Sequence, residues 1–484
     1  MSPFLYAYFG SALLGVLLTP GAIWLARRVG AMDQPGLRGV HWRPIPRLGG
    51  VAIFLSALGP IVALLVFDPA VGEASRSVQR HLAALLGCAT LIFLIGLADD
   101  LKDVPARWKL LAELLIAGLL CGGGVRISSV ALTDQWTLHL GGWGCLLTLL
   151  WIVGVTNAVN LSDGLDGLAA GVCAITCGVM AIFAIRSGEI TMAIFMLALL
   201  GSLCGFLVFN FHPAGIFMGD SGSLFLGFTI GACSVMCTAK SAALVGLTLP
   251  ALALGIPIFD TLFSALRRFL EGRSIFAPDR SHFHHRLLDL GLHQRQAVIL
   301  IYGATLLAAG LGLLMLARND LGALAIFLGV LSLILLLFRA VGAIRLRQTL
   351  ARLREKYAYS RQLREEQHKF ERLQLSVRAV RTTSQSWQAV CEAAEQLELA
   401  WVSLQTTKAD GSRETSIWHR AETPAGFVRI MTMSFPIGNV PGAKSVECEI
   451  AILVNGSLQS ANHRAGLFTR LAEECIARDT LLPL

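Results

Sequence analysis

Four short stretches hold most of the side chains that could do chemistry. "DDLKD" sets Asp99, Asp100 and Asp103 within one helical turn and a half. Carboxylates this close raise one another's pKa or recruit a cation. "NAVNLSDGLDG" brings Asn157, Asn160, Asp163 and Asp166 at spacings of three, which puts them near one face if a helix continues through them. "FHPAGIFMGDSGS" sets Asp220 among small residues at the start of an apolar run. A helix N-terminus attracts phosphate, and glycine lets the backbone approach it. A carboxylate there repels phosphate unless a cation lies between. Mg²⁺ suits that place, because it binds one or two carboxylates or amides together with diphosphate oxygens. "SHFHHR" adds His282, His284, His285 and Arg286 beside Arg280. Three histidines without cysteine make a weak zinc pattern. Cations facing acids across a cleft make better phosphate ligands. Taken one at a time, the stretches also read as a helix cap, a solvated helix end and an Asn/Gly turn.

The elements that must position these residues are membrane helices. Of 484 residues, 55% are hydrophobic and only 15% charged, against about 25% charged in a soluble chain. Mean hydropathy is +0.64. The apolar residues come in long blocks, and the alternation of an outer-membrane barrel is absent from the first 340 residues. The expected fold is an all-α polytopic membrane protein with about eleven spans. They run near 4–26, 49–67, 82–98, 108–121, 143–159, 168–185, 190–209, 223–238, 242–265, 297–317 and 321–338. The N-terminal run lacks a preceding Lys or Arg and reads as a first span, not a cleaved signal. The net charge of +8 follows the positive-inside rule and needs no nucleic-acid partner, since most Arg lie between apolar blocks. The eleven Cys show no CxxC pair and read as small core hydrophobes, not as disulfides or metal ligands.

Arg27, Arg28, Arg38, Arg43 and Arg47 fill the first loop, and Arg267, Arg268, Arg273, Arg280, Arg286 and Arg295 the loop before span ten. Both loops are then cytoplasmic, with the N-terminus outside. The same count puts all four polar stretches on the cytoplasmic face, as one site. Residues 1–338 form the membrane part and 339–384 an amphipathic or coiled-coil linker helix. Leu346, Leu350, Leu353 and Tyr357 mark the stripe of that linker, through which a homodimer would form. Residues 385–484 form a small soluble α+β domain, weakly GAF-like.

"VHWRPIPRLGG", "DDLKD", "NAVNLSDGLDGLAAG", "IFMGDSGSLFLG", "PIFDTLFSALRR" and "DRSHFHHRLLDLGL", in this order, resemble the polyprenyl-phosphate N-acetylhexosamine-1-phosphate transferases, glycosyltransferase family 4. The resemblance covers about residues 1–340, and its "DRxHxHHRL" form is similar to the N-acetylhexosamine branch. It implies transfer of N-acetylhexosamine 1-phosphate, first of all N-acetylglucosamine 1-phosphate, from a UDP-sugar to a polyprenyl phosphate such as undecaprenyl phosphate, with release of UMP. This would be the first membrane step of a cell-surface polysaccharide, in the inner (plasma) membrane. Carried over by motif, Asn160 and Asp220 would ligate Mg²⁺, with Mn²⁺ as its substitute. Asp99 and Asp100, with Asp103, would place or deprotonate the lipid phosphate. Asn157, Asp163 and Asp166 would line the nucleotide pocket, and Phe217 would stack on uracil. His282, His284, His285 and Arg286 would bind phosphates or sugar. One departure is Gly39, where the family often has Lys. Two alternatives stand beside this reading. A secondary transporter would carry its acids near mid-bilayer on broken helices, and here they stand at span ends. A membrane scaffold would leave the C-terminal domain as the working part.

Overall fold

The computed structural model describes residues 2–34, 43–133, 136–238, 243–272, 274, 282–315, 321–342, 354, 361, 364–375, 377, 383–408, 410–421, 429–437, 443–454 and 458–479. The stripe residues Leu346, Leu350, Leu353 and Tyr357, and Arg38, Gly39, Arg273 and Arg280, lie outside these. The chain divides into two compact units, Met1–Thr349 and Leu350–Leu484.

The first unit is helical: α1 Pro3–Val29, α2 Gly49–Phe67, α3 Pro69–Ser75, α4 Gln79–Lys102, α5 Ala106–Gly122, α6 Trp143–Ser162, α7 Leu168–Arg186, α8 Ile190–Asn210, α9 Gly219–Thr238, α10 Ala243–Ala253, α11 Gly255–Glu271, α12 Phe283–Asp289, α13 Gln294–Met315 and α14 Leu321–Ala340. Among the described residues, eight helices are long and apolar enough to cross a membrane, or nine if the bent pair α10–α11 counts as one. The expected count of eleven is not confirmed among the described residues. The 108–121 segment is α5, which carries Lys109 and Glu113, and the last segment has a shorter apolar stretch, Ala325–Ala340. The 242–265 segment is broken by 78° before Gly255. Pro257 explains the break, since it has no N–H to offer the Ala253 carbonyl one turn back. After the break α11 buries Asp260, Ser264 and Arg268 on one stripe and exposes Leu262, Leu266 and Phe269 on another. Leu13, Leu17, Val66, Phe67, Leu115, Leu119 and Leu150 are likewise exposed, as lipid-facing side chains are.

α9 sits at the centre, against α2, α4, α6 and α10. α1 and α8 pack backbone to backbone. A Cβ at Gly205 would stand 2.4 Å from the Ala12 carbonyl oxygen, and one at Gly201 2.1 Å from that of Tyr8. Small residues four apart are how membrane helices approach closely. Ser202 adds a hydrogen bond to the Ile53 carbonyl at 2.9 Å, tying α2 to the pair.

Two features depart from expectation. Cys121 at the end of α5 and Cys145 at the start of α6 form a disulfide, with Cα atoms 6.2 Å apart. They are 24 residues apart and meet because α5 and α6 form an antiparallel hairpin, which no local Cys spacing could show. The first 340 residues also hold two short antiparallel ladders, β1 Met32–Asp33 with β2 Ile45–Pro46, and β3 Ser129–Thr133 with β4 Trp136–His139.

The second unit has helices α15 Thr383–Gln396 and α16 Leu458–Asp479, and strands β5 Leu399–Lys408, β6 Arg413–His419, β7 Ile430–Ile437 and β8 Ala443–Leu453. The antiparallel sheet runs β6-β5-β8-β7. The strand β6, "RETSIWH", is polar and lacks a continuous apolar face. Phe370, Leu373 and Val377 of the linker are buried in the core of this unit. Buried Arg464 donates to Glu398 Oε2 at 2.6 Å and to the Leu453 carbonyl at 2.7 Å, closing α16 onto the sheet.

The α1–α8 contact is directly testable. Gly205→Val should cost about 1–3 kcal/mol, the usual range for overpacking, read as a lower thermal midpoint in detergent. Gly154→Ala, with nothing within 4 Å, should leave the midpoint unchanged. Equal midpoints for both variants would refute the packing.

Candidate functional site

The site begins where α4 ends and α9 starts. Asp100, 3% exposed, reaches from α4 to the N-terminus of α9. Its Oδ1 accepts the Asp220 N–H at 2.8 Å, and its Oδ2 accepts the Ser221 N–H at 3.0 Å and the Ser221 hydroxyl at 2.5 Å. A carboxylate there satisfies orphan donors and meets the positive end of the helix. Gly219 makes the approach feasible. Its φ is 73°, and a Cβ would lie 2.2 Å from the Arg47 carbonyl oxygen and 2.6 Å from Asp100 Oδ2. Arg47 closes the corner, donating from Nε to the Asp100 carbonyl at 2.9 Å and from its guanidinium to Asp103 Oδ1 at 3.0 Å. Asp103 caps α4 in the left-handed region, with its side chain 85% exposed. Asp100 therefore positions α9, and Asp103 stands apart from the cluster on the surface.

The cluster itself centres on Lys109 of α5. Its ammonium donates to Asp99 Oδ2 at 3.0 Å and to Asp220 Oδ2 at 2.6 Å. Asp99 Oδ1 accepts the Val104 N–H at 2.5 Å. Asn160 Nδ2 donates to Asp220 Oδ1 at 3.1 Å and to Ser223 Oγ at 2.9 Å, which leaves its amide oxygen as the acceptor for a ligand. One turn earlier, Asn157 Nδ2 donates to Glu113 Oε2 and to the Val153 carbonyl. Glu113 is 2% exposed. Lys109 and Glu113 were missed by the sequence reading. Their signal was present: two charges four residues apart inside a segment read as a span, where charge is expensive and functional.

α6 stops at Ser162, so the spacing of three does not carry Asp163 and Asp166 along its face. They lie instead in the turn before α7. Asp166 Oδ2 accepts from His212 Nδ1 at 2.7 Å and the Ala214 N–H at 3.1 Å, joining the turn to the segment before α9. From α13, Arg295 donates to the His212 carbonyl and the Tyr302 hydroxyl to that of Gly167. Phe217 is held by its backbone, its N–H on the Pro46 carbonyl at 2.8 Å and its carbonyl on the Gly49 N–H at 2.9 Å.

The histidines form a second group beside that turn. His284 packs against Gly164, where a Cβ would stand 2.5 Å from its Nε2. Burial lowers its pKa to about 3, with smaller contributions from His285 and His282, so it works as a neutral imidazole. His285 lies 4.4 Å from His284 by ring centroid, and Arg286 reaches Asp289 at 4.0 Å. His282 Nδ1 meets Asp260 Oδ2 at 3.0 Å. The four stretches thus converge: α4, α6, α9 and the turn before α7 share the acids, and α12 abuts the turn.

Asp163 carries a pH prediction. Burial first, then the carboxylates of Asp220, Asp100 and Asp166, push its pKa up to about 7, although the residue is half-buried. Between the ordinary carboxylate range and about pH 7 the folded state binds the extra proton, so stability falls as pH rises through that window. Asp163→Asn should therefore flatten the slope, and melt higher than wild type at pH 8 but not at pH 4.5. Parallel melting-against-pH curves in detergent would rule out the shift.

A lysine shared by two carboxylates, an amide oxygen and a helix N-terminus suits polyanion chemistry, with phosphate at the helix start and cations between phosphate and acid. Comparison with known proteins meets this geometry. The glycosyl transferase family 4 model matches residues 82–238, which span the DDLKD, NLSDGLDG and GDSGS stretches. A probable undecaprenyl-phosphate N-acetylglucosaminyl 1-phosphate transferase of Bacillus subtilis is 39% identical over 300 residues, 61% of this chain and 80% of that protein. A decaprenyl-phosphate N-acetylglucosaminephosphotransferase of Mycobacterium leprae is 35% identical over 323 residues, covering 61% and 77%. An undecaprenyl-phosphate alpha-N-acetylglucosaminyl 1-phosphate transferase of Yersinia pestis is 29% identical over 296 residues, covering 60% and 78%. With a relative this similar matched over most of its length, the chain belongs to glycosyl transferase family 4.

Proposed function

We propose that this protein transfers N-acetylglucosamine 1-phosphate from UDP-N-acetylglucosamine to undecaprenyl phosphate, in the plasma membrane, with the site on the cytoplasmic face. A phosphate oxygen of the lipid attacks the β-phosphorus. The bond from that phosphorus to the bridging oxygen breaks, and UMP leaves with the electron pair. The observation that carries the reading is Asp220 at the start of α9, bonded at once to Lys109 and Asn160.

The donor set fits Mg²⁺. Asp220, Asp99 and the Asn160 amide offer hard oxygens, and Mg²⁺ takes one or two carboxylates and keeps waters and phosphate oxygens. Among the described residues no three His, Cys, Asp or Glu side chains form a ready cage. Asp220 and Asn160 would hold the metal, which when bound neutralises diphosphate charge. The chain's own residues do the rest. Lys109 and Asp99 orient the lipid phosphate, whose second pKa near 6 leaves little need for a base. Asp163 lines the nucleotide pocket, and Asp166 holds the segment that presents Phe217 to uracil. His284 donates from a neutral ring to sugar or phosphate, beside His285 and Arg286.

Two observations support the orientation. Arg47 lies at the same end as the cluster, since it bonds Asp100 and Asp103, and its N–H bonds the Ala31 carbonyl just past Arg27 and Arg28 in the last turn of α1. The Cys121–Cys145 disulfide lies at the other ends of α5 and α6, twelve residues from Lys109 and from Asn157, about 18 Å along each helix. Disulfides persist on the oxidising side. In intact cells, a membrane-impermeant maleimide should label Cys121 and Cys145 only after reduction. Labelling that requires permeabilised cells would reverse the orientation.

The activity test is UMP release by purified protein. Release should require both undecaprenyl phosphate and Mg²⁺, and fall by about 10²-fold or more in Asp220→Asn and in Lys109→Met. Release without lipid, or full activity in Asp220→Asn, would sink the proposal.

A further inference from the structure

Asp260 has no role in the reading above, yet it is a buried acid aimed at the histidine motif. It is 5% exposed, on the inward stripe of α11 with Ser264 and Arg268. Its Oδ2 meets His282 Nδ1 at 3.0 Å, and its Oδ1 accepts the Phe283 N–H at 2.8 Å. Both side chains of the acid–imidazole pair are 8% exposed. One carboxylate thus pins the first residue of α12 and sets the histidine ring before it, across 22 residues of sequence.

The chemistry of that contact is directional. A carboxylate at Nδ1 selects the tautomer with its proton there, so Nε2 is the atom left for a ligand. A ring so held, when both nitrogens carry hydrogen, donates from Nε2 to an anionic oxygen. The His282 ring lies parallel to His284, with centroids 5.8 Å apart and planes within 5°. His284 in turn packs on Gly164, in the turn that carries Asp163 and Asp166. The held ring is thus one stacked histidine removed from the turn that carries Asp163 and Asp166.

We propose that Asp260 is a positioning residue for the transfer reaction: through Nδ1 it holds His282 so that Nε2 engages the diphosphate of the nucleotide sugar. The inference rests on the transferase reading above. Asparagine at 260 keeps an acceptor for the Phe283 N–H but turns an N–H donor toward the ring, so α12 stays capped while the histidine is set wrongly.

The test is a double-mutant cycle on the purified full chain. Wild type, Asp260→Asn, His282→Ala and the double variant are assayed for UMP release across UDP-N-acetylglucosamine concentrations, with thermal melts as the folding control. Asp260→Asn should lose about 10–100-fold in kcat/KM for the nucleotide sugar, the range for a group that orients another's ring, with the KM for lipid unchanged. The double variant should be no slower than His282→Ala alone. Where Asp260→Asn fails to fold, Asp260→Glu, which keeps the charge but displaces the ring, takes its place in the cycle. An unaltered kcat/KM in the Asp260 variant, or losses that multiply in the double variant, overturn the inference while leaving the transferase reading intact. A wild-type protein that releases no UMP from any UDP-N-acetylhexosamine overturns both.

Discussion

The Asp100 carboxylate on the first turn of α9 is the constraint from which the rest of the site follows. α9 is the central helix of the first unit, and its start must face polar ligands at the end of the bundle. Three donors on Asp100 fix the axis and depth of that helix against α4. Gly219, in a backbone region that other residues rarely adopt, lets the two segments come within contact. Once α9 is seated, Asp220 has one place to go, between Lys109 and Asn160. Two neighbouring acids thus do different work, Asp100 as a structural clamp and Asp99 as a face of the cluster.

The second constraint is charge balance. Among the described residues, Lys109 is the cation shared by Asp99 and Asp220, and Glu113 and Asp163 add further acid close by. Carboxylates packed this densely stay ionised only with cations among them. On the proposed reading, a site built this way would draw a divalent ion and, through it, a diphosphate. Around this core the supporting side chains bond to backbone groups: Tyr302 to the Gly167 carbonyl, Arg295 to the His212 carbonyl, and Asp166 to the Ala214 N–H. They hold the turn between α6 and α7 to the segment before α9 and to α13.

Much of this was legible in the sequence, for physical reasons. Long apolar blocks mark most of the helices, and acids at their ends mark the site, because charge at a bilayer edge needs a partner. What stayed hidden depends on tertiary approach. Nothing local tells Asp100 from Asp99, because the difference is which of them faces α9. The pairing of Cys121 with Cys145 needs the α5–α6 hairpin. The three-residue spacing suggested one face through Asp166, but α6 ends at Ser162 and the turn sends Asp163 and Asp166 elsewhere. The bend before Gly255 was readable from Pro257, yet the apolar run around it looked like one span. Lys109 and Glu113 were the costliest omission, since their charge inside an apolar segment is itself the signal.

The central claim is that a phosphorus–oxygen bond in the sugar nucleotide breaks and the β-phosphate moves with its sugar into the lipid. Donor labelled with ³²P at the β-position tests this most directly, followed by separation of the aqueous and organic phases after reaction with undecaprenyl phosphate. The account predicts that the label enters the lipid and that the aqueous nucleotide is unlabelled UMP. Label retained in water as UDP, with sugar alone passing to the lipid, would contradict it.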